Sequence, residues 1–345
     1  MRPAERTIVD AAPQAGVRRD GRLQRVAARA TEVLAALRLI RREALGMNRR
    51  NLTFLVPYNP HHLFALVDHK PSTKRALTAR GIPVPETYAE LAVPWDLRGL
   101  ASLLRDRDDF VVKPARGSGG GGVQVIAGRH GGRFLKASGA ALALADLESH
   151  CADILAGAFS LTPHADGVLI EERVRADPVL DAISFRGVPD VRVLVFRGVP
   201  IQAMLRLPTR VSDGRANLHL GGMAVGIDLA TGLSTHGTIR RRQVAVHPDL
   251  RRSVAGVRVP YWDDIVTLAA RCYDAVPLGY LGVDVVIDAD RGPLVLELNA
   301  RPGLTIQLAN RRGLRPLMEA VAATDVAGLT VSERIAFGRT VGERT

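Results

Sequence analysis

The chain has 345 residues, of which 47% are apolar and 24% charged, and its formal net charge is +12. This composition is typical of a globular protein of about two domains, with no run of about 18 apolar residues that would span a membrane and no secretory signal. Two cysteines, Cys151 and Cys272, exclude a disulfide framework and a zinc site, and they predict buried thiols in a reducing cytoplasm.

Arginine is the dominant cation, with 43 arginines against four lysines. Residues 1–50 hold twelve of these arginines and five acidic residues. A basic head of this kind can contact nucleic acid, anionic lipid or an acidic partner. No aromatic residue is interleaved with the arginines, so we expect no nucleic-acid binding. A scarce lysine indicates a site that needs a compact ammonium rather than a planar guanidinium.

The predicted elements follow in chain order. Residues 1–20 are expected to be disordered, and residues 23–44 have the i, i+3, i+4, i+7 apolar spacing of an amphipathic helix. A short buried strand is predicted at 53–56, and helices at 71–79, 140–158, 262–276 and 314–323. Further strands are predicted at 110–113, 123–126, 168–174, 191–197, 200–206, 283–288 and 294–299. Because helices alternate with recurrent hairpins, an α+β layout of two or three lobes is favoured.

A glycine-rich loop follows the strand that ends at Lys113. Residues 117–122 read Gly-Ser-Gly-Gly-Gly-Gly and precede the strand-like Val-Gln-Val-Ile. Glycines let backbone N–H groups approach phosphate oxygens closely. A strand rather than a helix follows, which argues against a dinucleotide fold, and no P-loop lysine is present. The pattern favours nucleotide binding over a plain surface hairpin.

Two carboxylates lie in the apolar strands near the end of the chain. Asp284 is flanked by valines, and Glu297 shares one strand face with Asn299. Such charges are costly unless they are paired or metal-bound. An oxygen-only set of ligands suits Mg²⁺ holding nucleotide phosphates, and the alternative is a salt bridge to one of the arginines. Arg301 follows one strand period after Asn299, on the same side.

Together these segments resemble the ATP-grasp superfamily, and most closely the RimK-type group of alpha-L-glutamate ligase-like proteins. The resemblance spans residues 50–325 and rests on motifs in the expected order. These are Asp68-His-Lys70 before Gly81, Lys113 with its glycine loop, Val168 to Val174, Asp190-Val-Arg192, Arg215-Ala-Asn217-Leu-His219-Leu-Gly-Gly222, and the residues Asp284, Glu297 and Asn299.

The resemblance implies a nucleotide held between two α+β lobes, with a shortened N-terminal lobe. Lys70 and Lys113 would contact the ATP phosphates while the loop of Gly117, Ser118, Gly119, Gly120 and Gly121 closes over them. The hinge residues Glu171, Glu172 and Val174 would read adenine, and either Asp177 or Asp181 would hold ribose. Asp284, Glu297 and Asn299 would bind two Mg²⁺ ions, with Mn²⁺ as an alternative.

The implied activity is ATP-dependent ligation of a carboxylate to an amine through an acyl phosphate, with glutamate or a similar amino acid added to a peptide or small amine. Arg192 would face the phosphates, and Arg301 with Asn217 would hold the tetrahedral oxyanion. His219 is either a base or a hydrogen-bonding strut. The alternatives are a phosphotransferase on the same fold and a non-catalytic nucleotide-binding partner. A homo-oligomer is among the states left open.

The expected organisation has five parts. A basic tail covers residues 1–20, a helix and short lobe cover 21–67, and a central lobe with the glycine loop covers 68–167. A C-terminal lobe with the metal site covers 168–325, and a tail covers 326–345.

Overall fold

The computed structural model describes residues 41–117, 119–137, 139–160, 165–240 and 242–344. The predicted tail of residues 1–20, the predicted helix up to residue 40, and Ser118 lie outside the described residues. The chain divides into a unit of residues 1–44, of which 41–43 are helical, and a unit of residues 45–345. The second unit holds every element below.

Its helices are short in the N-terminal part and longer towards the C-terminus. They are α1 (Met47–Arg49), α2 (Phe64–Val67), α3 (Lys70–Thr78), α4 (Leu100–Leu103), α5 (Leu144–Leu155), α6 (Pro178–Asp181), α7 (Trp262–Ala275), α8 (Ile306–Asn310), α9 (Arg315–Ala322) and α10 (Val331–Arg344). A π-helix covers Arg50–Leu55, and 3₁₀ helices cover His61–Leu63, Pro94–Gly99 and Leu218–Leu220.

The strands form two antiparallel sheets. They are β1 (Thr87–Leu91), β2 (Phe110–Pro114), β3 (Gln124–His130), β4 (Arg133–Lys136), β5 (Ala141–Leu142), β6 (Val168–Glu171), β7 (Asp190–Phe196), β8 (Val199–Leu207), β9 (Met223–Ile227), β10 (Ser234–Ile239), β11 (Arg242–Val244), β12 (Tyr280–Asp288) and β13 (Gly292–Asn299). The first sheet has the order β1-β6-β2-β3-β4-β5, and the second has the order β11-β10-β9-β8-β7-β12-β13.

Each sheet packs its own helices on one face. In the first sheet, Phe110 and Ile126 form a core with Leu147 and Ile154 of α5. In the second sheet, α7, α8 and α10 contact the central strands, and every residue of β12 is buried. A strand buried on both faces is rich in branched apolar residues, as β12 is. The α+β prediction with two lobes is confirmed.

The prediction of a strand at residues 53–56 is wrong, because this segment belongs to the π-helix and the turn that follows it. Phe54 and Leu55 are buried, whereas Leu52 and Val56 are 74% and 66% exposed. Adjacent buried residues flanked by exposed ones suit one face of a helix rather than the alternation of a strand. Four apolar letters in a row are too few to distinguish the two.

The predicted helix at residues 140–158 begins only at Leu144. Ala141 and Leu142 pair with β4 instead, and the Asp146 carboxylate accepts a hydrogen bond from the Ala143 backbone N–H at 2.7 Å. An acidic residue in this position caps the first turn of a helix, so the start of α5 is defined by that contact. Strands β1, β4 and β9 to β11 were not predicted.

Two predicted lobe boundaries need correction. Strand β6 pairs with both β1 and β2, so the first sheet extends through Glu171 and does not end at residue 167. The described part of the predicted tail, residues 326–344, packs on the second sheet, since α10 contacts β8 and both Val326 and Val341 are buried in the core. An alanine at Gly338 would bring its Cβ within 2.1 Å of the Pro200 carbonyl oxygen, which shows how closely α10 approaches the sheet.

Candidate active site

A cleft of about 1100 Å³ is lined by residues of both sheets. Val111, Val125 and Lys136 line it from the first sheet, and Arg192 and Glu297 line it from the second. Val111 and Lys113 share a strand face. The cleft is large enough for a nucleotide together with a further ligand, since small-molecule sites typically enclose about 300–1,000 Å³.

The glycine loop joins β2 to β3 as a hairpin, as predicted. Gly119, Gly120 and Gly122 have φ values of 67°, 80° and 72°, a region that other residues rarely adopt. A Cβ at Gly122 would lie 2.7 Å from the Phe159 ring. Gly119 and Gly120 line the cleft, and Gly121 is exposed. The loop therefore presents backbone rather than side chains to the cleft.

Side chains from three directions hold this loop. The Lys70 ammonium donates to the Gly117 carbonyl oxygen, and the Lys70 N–H donates to Ala115 O at 2.9 Å. The buried Asp166 carboxylate accepts from the Arg116 N–H at 3.0 Å. At the far end, the His150 ring lies 2.8 Å from the Gly122 carbonyl oxygen. The ends of the loop are thus fixed while its middle faces the cleft.

Glu171 bridges two lysines at the end of β6. Its carboxylate pairs with the Lys113 ammonium and, at 2.5 Å, with that of Lys74. Lys74 also donates to Pro85 O at 2.7 Å and to Thr87 Oγ1 at 3.2 Å. All three charged side chains are at least nine-tenths buried. A buried carboxylate between two ammonium groups leaves one net positive charge beside the cleft.

Burial and neighbouring charge act in opposite directions on these groups. Burial alone would raise the pKa of Glu171, but Lys113 and Lys74 outweigh it and hold that pKa below its ordinary value. Burial lowers the pKa of Lys74, with Glu171 opposing the shift. Burial also lowers the pKa of Lys70, and the Glu297 charge opposes it, so this carboxylate lies within electrostatic range of Lys70.

The predicted adenine hinge continues from β6. Glu172 pairs with Arg291, and Val174 packs with Val286 and Leu294 in a small apolar cluster. Glu171, Glu172 and Val174 all line the cleft. Of the two predicted ribose acids, Asp181 lines the cleft, whereas Asp177 caps α6 by accepting from the Val179 N–H at 2.9 Å.

The acidic residues of the β12–β13 hairpin meet as predicted. Asp284 is directly opposite Glu297, and Gly282 is opposite Asn299. Asn299 Nδ2 donates to Asp284 Oδ2 at 3.0 Å. Within the described residues, the Glu297 carboxylate has no hydrogen bond or ion pair. One carboxylate is therefore free towards the cleft and the other is engaged.

Asp284 is engaged by two arginines, Arg192 on β7 and Arg206 on β8. Arg192 donates to both carboxylate oxygens, at 2.7 and 2.6 Å, and Arg206 Nη2 donates to Oδ2 at 2.6 Å. Arg206 also forms a two-point pair with Asp190. Burial alone would raise the pKa of Asp284, but the two guanidiniums hold it below its ordinary value. Burial raises the pKa of Asp190 to about 6, against the charge of Arg206. The salt bridge that the sequence left open is thus present at Asp284.

The loop before β9 reaches across to the glycine loop. Asn217 Nδ2 donates to Gly119 O at 2.8 Å, and Asn217 Oδ1 accepts from the His219 N–H at 2.8 Å. The His219 ring is exposed and lines the cleft. Arg301, also at the cleft, lies 4.3 Å over the Phe64 ring and 3.7 Å from the Asp68 carboxylate.

The structure adds residues that the sequence did not single out as functional: Lys74, Lys136, Asp166 and Arg206. Scarcity was a usable signal for Lys74 and Lys136, because they are two of only four lysines. No local signal marks Asp166 or Arg206, whose partners are up to 78 residues away in the chain.

Within the described residues, no cluster of three or more His, Cys, Asp or Glu side chains could hold a metal. No helix in that part of the chain is both long and apolar enough to cross a bilayer. Cys151 and Cys272 are free and buried, as predicted, and burial raises the pKa of Cys151 to about 12.

Two antiparallel sheets with their own helices, facing a cleft closed by a glycine hairpin, define an ATP-grasp architecture. The chain belongs to the sugar-transfer associated ATP-grasp family, whose model matches residues 49–323. Membership in the RimK-type group is not part of that finding. No curated protein matches the chain.

Several solved structures are similar at low identity. The ATP-grasp ligase PsnB with a minimal precursor is 20% identical, with a TM-score of 0.39, and the match covers 77% of this chain and 63% of that one. D-cycloserine synthetase DcsG is 18% identical, with a TM-score of 0.41 and coverage of 83% and 73%. D-alanine–D-alanine ligase from Bacillus anthracis with ATP is 18% identical, with a TM-score of 0.39 and coverage of 82% and 66%. The chain thus spans less than two thirds of that PsnB structure's length.

Proposed function

We propose that this protein is an ATP-dependent ligase that joins a carboxylate to an amine through an acyl phosphate. The observation that carries the proposal is the distribution of charge around one cleft. Lys70 and Lys113 lie beside the glycine loop, while Arg192, Glu297 and Asn299 extend from the second sheet. Phosphoryl transfer depends mainly on positioning and charge neutralisation, which such an arrangement supplies.

The nucleotide is assigned to the side of the cleft formed by the first sheet. Lys70 and Lys113 neutralise phosphate oxygens, and the backbone of Gly117, Gly119, Gly120 and Gly121 covers them. Glu171, Glu172 and Val174 border the adenine. We assign ribose to Asp181 rather than Asp177, because Asp181 lines the cleft and the Asp177 carboxylate is used as a helix cap.

The donor set at the β12–β13 hairpin fits Mg²⁺ in part. Glu297 offers an unpaired carboxylate, and Asn299 donates through Nδ2, which leaves its carbonyl oxygen free. Asp284 becomes a third oxygen ligand only when a guanidinium leaves it. Mg²⁺ or Mn²⁺, when bound, would neutralise charge on the phosphates.

The reaction has two steps. An oxygen of the substrate carboxylate attacks the γ-phosphorus, the bond to the β-phosphate oxygen breaks, and ADP leaves. The amine nitrogen then attacks the acyl carbon, phosphate leaves, and the nitrogen loses a proton. Arg192 orients the phosphoryl group and Arg301 holds the oxyanion. Exposure of the His219 ring, with no partner among the described residues, favours a role as base over a strut.

Asn217 is assigned a different role from the one predicted. One of the two hydrogens on Nδ2 is donated to Gly119 O at 2.8 Å, and the amide oxygen accepts from the His219 N–H. These two contacts hold the amide against the glycine loop. We therefore propose that Asn217 holds the glycine loop closed over the nucleotide, and that Arg301 acts without it.

The arginines of the cleft support an acidic substrate. Arg173, Arg186, Arg210 and Arg215 line it in addition to Arg192. Guanidinium groups bind carboxylates in a planar two-point geometry, so an acidic substrate is favoured. We propose glutamate or a similar amino acid as one substrate and a peptide or small amine as the other, which is the RimK-type reaction. Buried free thiols and a requirement for ATP suit the cytoplasm.

The test is a product assay with the full chain, MgATP and pairs of carboxylates and amines. Ligation requires release of ADP and phosphate only when both substrates are present, with an amide product in the mass spectrum. Hydroxylamine in place of the amine should trap the acyl phosphate as a hydroxamate. A stable phosphoester would indicate a phosphotransferase, and nucleotide binding without turnover across the panel would indicate a non-catalytic partner.

Glu297→Gln tests the metal site within this proposal. Replacing the unpaired carboxylate with an amide removes an anionic ligand while retaining its shape, so turnover should fall by about 10²-fold or more. The folded structure should persist, since Glu297 has no ion pair among the described residues. Near-normal ATP turnover of this variant with magnesium would rule the site out.

A further inference from the structure

The Asp284 carboxylate is surrounded by hydrogen-bond donors, two of which are positively charged guanidiniums. Oδ1 accepts from Arg192 Nε at 2.7 Å. Oδ2 accepts three hydrogen bonds, from Arg192 Nη2 and Arg206 Nη2, both at 2.6 Å, and from Asn299 Nδ2 at 3.0 Å. Each carboxylate oxygen has about two lone-pair directions, so Oδ2 has more donors than it can accept well, while Oδ1 accepts one bond. A cation can bind Oδ2 only if a donor leaves, and a cation at Oδ1 would lie against the positive guanidinium of Arg192.

The two guanidiniums are not equally free to leave. Arg206 is directly opposite Asp190 on the neighbouring strand and makes a two-point pair with it, in addition to its contact with Asp284. Arg192 is directly opposite Asp284, and within the described part of the chain Asp284 is the single hydrogen-bonding partner of its guanidinium. Moving Arg206 breaks pairs with two carboxylates, whereas moving Arg192 breaks a pair with one.

The charges of the network are balanced without any ligand. Asp190 and Asp284 carry two negative charges, and Arg192 and Arg206 carry two positive ones, all largely buried. A divalent ion arriving alone would face both guanidiniums, with the Glu297 carboxylate opposite Asp284. A polyphosphate arriving with the ion supplies new partners for Arg192 and compensates the added positive charge.

We infer that Arg192 is an exchangeable counter-ion of Asp284, which moves from the carboxylate to the nucleotide phosphates and thereby lets a divalent cation bind. Arg206, held by Asp190, stays in place as a positioning residue. This inference rests on the proposed nucleotide binding. Its consequence is that metal and nucleotide bind together and that the protein alone takes up little metal. Reciprocity requires the metal to raise nucleotide affinity by the same factor.

The test measures Mn²⁺ binding to the full chain by the loss of the free-ion electron paramagnetic resonance signal. Without nucleotide, the wild type should bind Mn²⁺ at least tenfold more weakly than with a non-hydrolysable ATP analogue, after the Mn²⁺ bound by the analogue alone is subtracted. Arg192→Met, which keeps an unbranched flexible side chain but removes its charge, should bind Mn²⁺ at least tenfold more tightly than the wild type without nucleotide. Adding Glu297→Gln to that variant should abolish the gain in Mn²⁺ affinity. Such a loss would show that the added Mn²⁺ binds at the β12–β13 hairpin.

Arg215→Met is the matched control, because Arg215 lines the same cleft and does not contact Asp284. This control should bind Mn²⁺ like the wild type. If it bound Mn²⁺ as tightly as Arg192→Met does, the effect would come from the loss of any positive charge in the cleft, and the inference would be overturned. The wild-type measurement is decisive even if Arg192→Met fails to fold. Tight Mn²⁺ binding without nucleotide overturns the inference even if ligation is found, and metal–nucleotide coupling supports it even if ligation is not.

Discussion

Three of the four lysines, Lys70, Lys74 and Lys113, lie around the base of the glycine loop. Lys70 bonds to the loop itself, and the other two share the Glu171 carboxylate. An ammonium is a compact point charge that fits between two carboxylate oxygens and backbone carbonyls, whereas a guanidinium needs a wider planar site. In a chain that otherwise uses arginine, these positions require lysine for a geometric reason.

Lys113 and Arg116 flank the glycine loop and permit a matched comparison. Lys113 is buried and ion-paired, whereas Arg116 is exposed and holds the loop through its backbone N–H rather than its side chain. We expect Lys113→Arg to lower the affinity for an ATP analogue at least tenfold and Arg116→Lys to change it little. Calorimetric titration of both variants checks this. Equal losses, or a larger one at Arg116, would mean that Lys113 has only a structural role.

Glu171 should also govern stability in acid. Its pKa is held below the ordinary value of 4.5, so its stabilising effect is complete above about pH 4.5 and is lost as the pH falls below that value. Glu171→Gln leaves two buried ammonium groups without their carboxylate and should cost about 3–5 kcal/mol at pH 7. The difference from the wild type should shrink in acid.

Urea unfolding between pH 3 and pH 7 measures that difference. The control is Glu90→Gln, because Glu90 pairs with Arg75 on the surface, where both side chains are exposed. An exposed pair is worth about 0–1 kcal/mol. A Glu171→Gln cost no larger than that of the control would mean that Lys74 and Lys113 find other partners.

At the level of elements, the glycine hairpin is the most constrained segment. Gly122 combines a positive φ with a position against the Phe159 ring, whereas Gly128, six residues along in β3, has open space where a Cβ would be. Gly122→Ala must displace the ring or the loop, at a cost of about 1–3 kcal/mol. We expect it to reduce nucleotide affinity at least tenfold, as measured by calorimetry.

Gly128→Ala should leave both stability and nucleotide affinity within about 0.5 kcal/mol of the wild type, because a strand interior tolerates alanine better than glycine. If the two variants behaved alike, the conformation of the loop between Pro114 and Val123 would not be set by Gly122.

For the whole molecule, deletion of the C-terminal segment should destabilise the fold, whereas deletion of the N-terminal segment should not. Residues 326–344 include α10, with Val341 in the core and Arg334 paired to Asp274 at 2.8 Å. Deleting residues 326–345 exposes part of the second sheet, so we expect the cooperative thermal transition to be lost or lowered by more than about 10 °C. Deleting residues 1–20, a segment with no leucine or aromatic side chain to anchor it, should leave ATP turnover unchanged.

Differential scanning calorimetry and the ATP turnover assay compare the two truncations directly. Precipitation or loss of turnover on removing residues 1–20 would show that this segment has a structural role. An unchanged melting temperature on removing residues 326–345 would contradict the packing of α10 on β8.

The amino-acid sequence by itself determined the features that depend on neighbours in the chain. The β12–β13 hairpin and the facing of Asp284 and Glu297 follow from alternation and a short turn, and the glycine hairpin follows from composition. Only the tertiary structure decided the partners of the charged groups. Lys74 pairs with Glu171, which lies 97 residues further along the chain. Arg206 bonds to Asp284, which lies 78 residues further along. Those contacts depend on β12 lying beside β7, and on β6 lying between β1 and β2. Periodicity reports which face a residue occupies, but which strand lies next to it is determined by the packing of the whole chain.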